Sequence, residues 1–478
     1  MTGDLAIAEP ADRRPATAQS AAWRGHATAF LLAALLYAVL LVYASLVPFV
    51  LRPRSFEVAW AEFLAIPFLE LGPESRADWI ANLVAYAPLA FLIAAAPGAR
   101  AAAAVRSSAL LASIAVCLAL AVVVEFVQIF FAPRTVSLND LLAETIGTMA
   151  GALAGWAAAP RSATLLAALR RGGRPALRVL AGVYCLAYLA LSLFPYDFVI
   201  AGHELQLRVA FVSDRLWSVP GAERSVFHAL AVLGLSVVAM MPVGALVART
   251  GRANGDGLGR ALAAGLLLGL LIEGSQALLL SGVGDVISIL ARGLGAVLGA
   301  VALMILRRAD LPRLRRRLRP LALLAVPPYL VLLAAVNDLL AGGWLGAAQA
   351  ASKLGELNFM PFYYHYYTTE AVALASAASR FAMYLPVGAL LWLWRRPGEI
   401  GGGPIAGGAA TAALIAALLA AVFEGARLFK PDLRPDPTNV LIAAAAAAIT
   451  YAVLGFGWRW LTRPAAGGAA TAGSSLRP

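Results

Sequence analysis

The sequence predicts an all-α, polytopic integral membrane protein: a helical bundle of about twelve transmembrane helices in three repeated four-helix units. Of its 478 residues, 61% are hydrophobic and only 13% are charged, which is more apolar side chain than a single soluble core can bury. Apolar stretches of about 20 residues, the length that crosses a bilayer's hydrocarbon core, recur along the whole chain. They are rich in Ala and Leu and lack the period-two alternation of a membrane β-barrel.

The apolar stretches follow one another in three groups of four. The units are predicted at residues 28–160, 175–307 and 317–462, between an N-terminal tail at 1–27 and a disordered C-terminal tail at 463–478. The twelve predicted spans are 28–48, 79–97, 109–131, 139–159, 178–197, 226–248, 261–281, 285–306, 320–341, 371–394, 408–429 and 439–461. Longer outer loops are expected at 49–78, 198–225 and 342–370.

Short sequence matches recur at the same place in each unit. The segments 242–246 and 386–390 are both Pro-Val-Gly-Ala-Leu, and Pro88-Leu-Ala-Phe-Leu takes the same place in the first unit. Ser45-Leu-Val-Pro recurs as Ser192-Leu-Phe-Pro. Repeats this long indicate duplicated bundles rather than a solenoid.

The charge distribution predicts the membrane topology and argues against nucleic acid as a partner. The net charge is +12, but the basic residues concentrate in every second loop, as the positive-inside rule expects of cytoplasmic loops. Both termini are therefore expected in the cytoplasm, and nucleic acid is not an expected partner. The two cysteines, Cys117 and Cys185, lie inside apolar stretches without metal-ligand spacing. We expect neither a metal nor another cofactor.

A glutamate interrupts an apolar stretch at the same position of each unit: Glu125, Glu273 and Glu424. An ionisable group in a membrane span costs several kcal/mol unless it is paired or faces water, so it indicates a functional site. One alternative is a structural ion pair, such as Glu125 with Arg134 or Glu424 with Arg427. The other is contact with a ligand, and the sequence leaves both open.

Polar residues follow each glutamate at matching intervals. Three residues on, on the same helix face, stand Gln128, Gln276 and Arg427; twelve residues on stand Ser137, Asp285 and Asp436; fifteen on stand Asp140, Ser288 and Asn439. Asn82, Ser236 and Arg380 precede each unit's proline by six residues. Ser, Asp and Asn before an apolar run are typical helix N-caps, so capping and ligand contact are both compatible with these positions. Glycines at 147, 151, 295 and 299 predict close helix packing.

These residues resemble the VanZ-like family of bacterial membrane proteins, whose pattern is a four-helix unit with Asn–Pro on the second helix, Glu-x-x-Gln on the third, Arg and Asp in the next turn, and spaced glycines on the fourth. The first unit matches through Asn82, Pro88, Glu125, Gln128, Arg134, Asp140, Gly147 and Gly151, and departs at Glu144. The second keeps Glu273, Gln276 and its glycines, with Arg292 in the place of Glu144. The third keeps Glu424, Arg434 and Pro386, with Arg427 in the place of the glutamine.

The resemblance implies a multi-pass protein of the bacterial cytoplasmic membrane that acts in the cell envelope. The family's namesake belongs to glycopeptide-resistance clusters and is associated with reduced susceptibility to teicoplanin, a lipid-tailed antibiotic of the outer leaflet. We therefore expect a binding protein without a demonstrable enzymatic activity, whose ligand is an amphiphile or lipid-linked glycan at the outer leaflet. The expected partners are membrane lipids or lipid-linked envelope precursors, and further candidates are cell-wall or polysaccharide-synthesis proteins.

Two other functions stay open at this point. Intramembrane glutamates also carry protons in secondary transporters, and Glu125 or Asp140 could act as the general base of a membrane-embedded transferase or hydrolase. The predicted ligand-binding residues are Asn82, Glu125, Gln128, Arg134, Asp140, Glu144, Glu273, Gln276, Asp285, Arg292, Arg380, Glu424, Arg427 and Asp436.

Overall fold

The structure, a computed structural model, describes residues 16–69, 72–98, 101–171, 173–223, 225–250, 256–395 and 405–462. The predicted C-terminal tail at 463–478 and the first fifteen residues of the predicted N-terminal tail lie outside the described residues. The chain forms two compact bodies, one of residues up to 211 with 275–283 and one of 212–274 with residues from 284 onward.

The described chain is almost entirely helical, as predicted, with one two-residue strand pair. The helices of its first half are α1 Ala16–Leu46, α2 Phe56–Leu64, α3 Pro73–Ala95, α4 Ala103–Gln128, α5 Leu138–Arg171, α6 Gly173–Ser192, α7 Gly202–Arg215 and α8 Val226–Thr250. Those of its second half are α9 Gly257–Gln276, α10 Val286–Arg308, α11 Leu311–Leu324, α12 Val326–Val336, α13 Ala347–Gly355, α14 Tyr363–Tyr366, α15 Glu370–Trp394, α16 Ile405–Arg427 and α17 Thr438–Thr462. The strands β1 Val50–Leu51 and β2 Phe131–Ala132 pair antiparallel.

Ten of the described helices are long and apolar enough to cross a membrane, so the chain is a multi-pass membrane protein. The pair α11 and α12 adds an eleventh candidate span, bent by 51° between its two parts. The span predicted at 178–197 overlaps α6, in which Val179–Ser192 is a shorter apolar stretch of described residues. The described helices therefore give ten or eleven candidate spans where the sequence predicts twelve.

Glycines bring α3 and α5 into backbone contact in the first body, which confirms the predicted close packing. A Cβ atom added to Gly147 would lie 2.0 Å from the carbonyl oxygen of Leu83, and one added to Gly151 would lie 2.0 Å from that of Ala87. No side chain fits at that distance. The two helices can approach this closely only because both positions are glycine.

The same arrangement recurs between α8 and α10 in the second body. A Cβ atom at Gly295 would lie 2.3 Å from the Val237 carbonyl oxygen, and one at Gly299 would lie 1.9 Å from that of Met241. Leu83 and Val237 both stand five residues before their unit's proline, and Ala87 and Met241 stand immediately before it. The contacts thus fall at matching positions of the predicted first and second units.

The loop after the first helix of each predicted unit is hydrogen-bonded to the end of the third helix. The amide of Arg52 donates to Phe130 O at 2.8 Å, that of Val199 to Leu278 O at 2.8 Å, and that of Leu345 to Phe429 O at 2.7 Å. Each acceptor stands five residues after its unit's glutamate. The predicted outer loops are thus partly ordered, and each contains a short helix, α2, α7 or α13.

An ion pair in the first body fixes the loop that contains α7. Arg76 on α3 donates to both carboxylate oxygens of Glu204 at 3.0 Å, and the amides of Ile200 and Ala201 donate to Glu204 at 3.1 Å. The Arg76 guanidinium and these two amides lower the pKa of Glu204 from its ordinary 4.5 to about 2. Every one of these donors favours the ionised carboxylate.

We predict that replacing Gly151 by Ala destabilises the protein because the added methyl group displaces α5 from α3. The expected loss is about 1–3 kcal/mol, as for other overpacked sites. The matched control is Gly182→Ala on α6, where nothing lies within 4 Å of the added atom. Thermal unfolding of both variants measures the difference, and equal melting temperatures would contradict the packing account.

We predict that the Glu204 carboxylate stabilises the fold at neutral pH and loses this effect in acid. Because its folded-state pKa lies below the ordinary value, the contribution is complete above about pH 4.5 and falls as the pH is lowered toward 2. Glu204→Gln should therefore melt below wild type at pH 7, and the gap should narrow as the pH falls through that window. A gap that is independent of pH would contradict this prediction.

Candidate functional site

Glu273 is buried at the end of α9, where it ties that helix to the start of α10. Its exposed fraction is 4%. Oε2 accepts a hydrogen bond of 2.8 Å from the amide of Asp285, and Oε1 pairs with the Arg292 guanidinium. Asp285 is the N-cap of α10, since its side chain accepts from the amide of Ser288 at 2.6 Å. The predicted residues Glu273, Asp285 and Arg292 therefore form one buried group, and the capping interpretation of Asp285 is confirmed.

Glu424 holds the turn between α16 and α17 with the same backbone contact. Oε2 accepts from the amide of Asp436 at 2.8 Å, and Oε1 accepts from the side-chain amide of Asn439 at 2.7 Å. Nη1 of Arg427 lies 3.5 Å from Oε2, so the structural pair anticipated from the sequence is present. Asp436 in turn accepts from the Thr438 amide at 2.9 Å. This carboxylate is fully engaged in holding its own turn.

Arg380, Asn337 and His365 lie around this third group. The Arg380 guanidinium donates to Oδ1 of the buried Asn337, and it interacts electrostatically with Glu424. Nδ1 of His365 lies 3.4 Å from Oδ2 of Asp436. Sequence reasoning did not select Asn337 or His365, because Asn337 replaces the proline of the earlier units and His365 has no partner close to it in sequence.

The first unit begins its fourth helix with the same pair of positions but exchanges the residue types. The hydroxyl of Ser137 accepts from the amide of Asp140 at 3.3 Å and donates to Oδ2 of Asp140 at 2.7 Å. The side-chain amide of Asn82 donates to Oδ1 of Asp140 at 2.8 Å. Asp140 thus links the start of α5 to α3.

Glu125 and Glu144 are buried in the first unit without the partners that their counterparts have. Their exposed fractions are 2% and 3%. Among the described residues, Oε2 of Glu125 lacks a hydrogen-bond partner, whereas Glu144 interacts with the hydroxyl of the buried Tyr86. Glu125 interacts electrostatically with Glu144, Asp140 and Arg134. Glu144 occupies the position that Arg292 occupies in the second unit, so a carboxyl group stands where that unit places the neutralising cation.

Three predicted ligand-binding side chains bind backbone carbonyls at the ends of first helices. The side-chain amide of Gln128 donates to Ser45 O at 2.9 Å, and that of Gln276 donates to Ser192 O at 2.7 Å. One Arg134 Nη donates to Ala44 O at 2.8 Å. These contacts satisfy helix-terminal carbonyls that lack a partner within the helix. The repeated segments that begin with Ser45 and Ser192 therefore mark the contacts of the two glutamines.

A cavity of about 300 Å³ opens beside Arg134 in the first body. It is lined by Arg52, Glu62, Ala65, Ile66, Pro67, Ile129, Arg134 and Val136. Two arginines thus line one space together with apolar side chains. Glu62 is ion-paired with Arg54, so its carboxylate is already compensated. The sequence motif predicts a role for Arg134 but not for Arg52. The local feature that distinguishes Arg52 is its position directly after β1.

The described residues contain no candidate metal site. No group of three or more His, Cys, Asp or Glu residues there has the geometry to hold a metal ion.

Comparison with known proteins adds one match. Residues 22–159, which contain most of α1, all of α2, α3 and α4, and most of α5, match the family model described as VanZ/LLP1. This segment is therefore VanZ-like, in agreement with the resemblance of its motif, and with the membrane-spanning helices it fits a membrane protein of the VanZ family. No curated protein and no solved structure matches the chain.

We predict that Arg292→Gln strongly destabilises the protein because it leaves the Glu273 carboxylate buried without a cation. Breaking a buried ion pair typically costs about 3–5 kcal/mol. The double variant Glu273→Gln/Arg292→Gln removes both charges and should recover much of that loss. Chemical or thermal unfolding measures both variants. A double variant as unstable as Arg292→Gln alone would contradict the ion-pair account.

Proposed function

We propose that the protein binds the anionic headgroup of an amphiphile or lipid-linked glycan at the outer leaflet of the bacterial cytoplasmic membrane, through its first unit. The observation that carries this proposal is the cavity lined by Arg52 and Arg134. Its volume of about 300 Å³ falls at the lower end of the range of small-molecule sites. We take both termini as cytoplasmic, which assigns this cavity to the outer side.

The chemistry of the cavity fits a headgroup that is charged at one end and apolar at the other. Guanidinium groups form paired hydrogen bonds with phosphate or carboxylate oxygens. Ile66, Ile129 and Val136 offer apolar surface to the adjoining hydrocarbon or sugar ring. Polar and apolar linings are therefore present in the same space, as an amphiphile requires.

We assign this function to the first of three repeated units. The matched glycine contacts of α3–α5 and α8–α10, and the matched carbonyl contacts of Gln128 and Gln276, support the internal repeat. In the second unit Arg292 neutralises the membrane glutamate, and the turn lacks an arginine. In the third, the Glu424 carboxylate already accepts hydrogen bonds from Arg427 and Asn439. We therefore assign the two later units a structural role: they keep the helix arrangement of the repeat but not the binding site.

The VanZ-like first segment connects this binding site to envelope function. A protein that holds a lipid-linked envelope precursor or a lipid-tailed glycopeptide at the outer leaflet would change the amount of that compound available at the cell surface. The proposal therefore implies that the presence of this protein changes the susceptibility of the cell to teicoplanin. Enzymes of cell-wall or polysaccharide synthesis are the corresponding protein partners.

A second candidate is proton-coupled secondary transport, and the buried acidic pair Glu125 and Glu144 favours it. Both lie in candidate membrane spans, and Oε2 of Glu125 has no hydrogen-bond partner among the described residues. Carboxyl groups in this situation can exchange protons during a transport cycle. Movement of substrate that depends on a pH gradient and fails in Glu125→Gln would favour transport over equilibrium binding.

Native mass spectrometry of the purified protein tests the binding proposal. We predict that wild type retains an anionic lipid or lipid-linked precursor and that Arg52→Ala/Arg134→Ala retains at least about tenfold less, because each lost charge-assisted contact is worth about 1.5–3 kcal/mol. The double variant Arg106→Ala/Arg161→Ala removes the same charge elsewhere in the first unit and should retain the wild-type amount. Equal retention in all three proteins would contradict the proposal.

A further inference from the structure

An apolar groove in the second body lies between α11, α12, α15 and α16. Its volume is about 230 Å³, and its lining includes Leu323, Tyr329, Leu390 and Trp394. The helices around it are candidate membrane spans or parts of the bent span. Leu323, on its rim, is 59% exposed. In a bilayer this rim meets hydrocarbon, so the groove is accessible to lipid.

A cation is fixed at one end of the groove. The Arg319 guanidinium lies 4.9 Å from the ring centroid of Trp394, which lines the groove. Nε of Arg319 also donates to Trp394 O at 2.8 Å, so the side chain caps the last turn of α15. This contact satisfies a helix-terminal carbonyl and places positive charge at the negative end of the helix dipole. The cation is therefore held in position by the fold.

A neighbouring arginine adds a second positive charge near the same end of the groove. Arg315 is buried, donates to Trp392 O at 2.7 Å, and lies 4.7 Å from the centroid of the Trp392 ring. Two successive arginines of one helix face thus attach α11 to the end of α15. Between these two arginines, Arg316 and Arg317 are exposed.

Helical spacing places Arg316 in line with the groove. Leu323, Arg319 and Arg316 are separated by four and three residues, so they lie on one face of α11 on successive turns. An acyl chain in the groove would leave its headgroup beside Arg319 and Arg316. Arg317, one position further on, is rotated by about 100° from that face. The groove and its cations therefore match the two parts of an anionic lipid.

We propose that this groove is a binding site for an anionic phospholipid, with an acyl chain along Tyr329 and Leu390 and the phosphate beside Arg319 and Arg316. Basic pockets between membrane helices bind such headgroups at the cytoplasmic side. The density of arginine on α11 places this end of the groove in the inner leaflet. The site is independent of the proposed outer-leaflet function, since its residues and its body differ from those of that site.

Lipid titration of the purified full chain, followed by native mass spectrometry, tests this proposal. The probes are phosphatidylglycerol and phosphatidylethanolamine with the same acyl chains. One phosphatidylglycerol should bind at least about fivefold more tightly than phosphatidylethanolamine, and Arg316→Ala should weaken it about fivefold, the effect of one nearby arginine. Arg317→Ala is the matched control on the same helix and should change the affinity by less than about twofold.

A groove-filling variant separates the site from general attraction to a basic helix. Leu330 lines the groove, whereas Leu332 on the same helix is 61% exposed. Leu330→Trp should abolish the tight phosphatidylglycerol site, and Leu332→Trp should leave it unchanged. The proposal is overturned if the two lipids bind equally, if Arg316→Ala and Arg317→Ala weaken binding equally, or if Leu330→Trp binds as wild type does.

Discussion

A buried carboxylate that receives the first amide of the next helix is the interaction on which this architecture depends. Glu273 accepts the amide of Asp285, and Glu424 accepts that of Asp436, both at 2.8 Å and both across a turn of twelve residues. Burying an ion in a membrane protein is costly unless donors surround it. The polar groups in these turns supply those donors, so the end of one span and the start of the next are fixed together.

The first unit keeps the buried glutamate but does not use it in this way. Ser137, Asp140 and Asn82 cap and align the fourth helix among themselves. Glu125 then remains buried with an unpartnered oxygen, and Glu144 adds a second carboxyl group where the second unit has Arg292. Positions that depart from structural consistency are where function is expected. The contrast between the units therefore directs attention to the first.

Much of this arrangement was predictable because it rests on local chemistry. Asp285 before an apolar run predicts an N-cap, Glu424 with Arg427 one turn on predicts an ion pair, and Gly147 with Gly151 predicts close packing. All three are present. The same local logic predicts twelve spans, of which the described helices give ten or eleven candidates.

Other features depend on contacts between residues that are far apart in the sequence. The sequence marks Gln128 as a candidate ligand contact, but no sequence pattern shows that a helix end lies beside it and that its side-chain amide binds Ser45 O. Arg52 lies 82 residues before Arg134 in the sequence, and Asn337 lies 43 residues before Arg380. Residues that meet across such separations are brought together only by the packing of whole helices.

The thermal stability of three isosteric variants, measured in one assay, tests the central claim most directly. Glu273→Gln and Glu424→Gln each remove a carboxylate that holds a turn and leave a buried arginine uncompensated. The account predicts that both melt several degrees below wild type, while Glu125→Gln melts at or above it, because Oε2 of Glu125 has no hydrogen-bond partner in the part of the chain that the structure describes. A Glu125→Gln protein as unstable as the other two would contradict it, since that carboxylate would then be part of the framework.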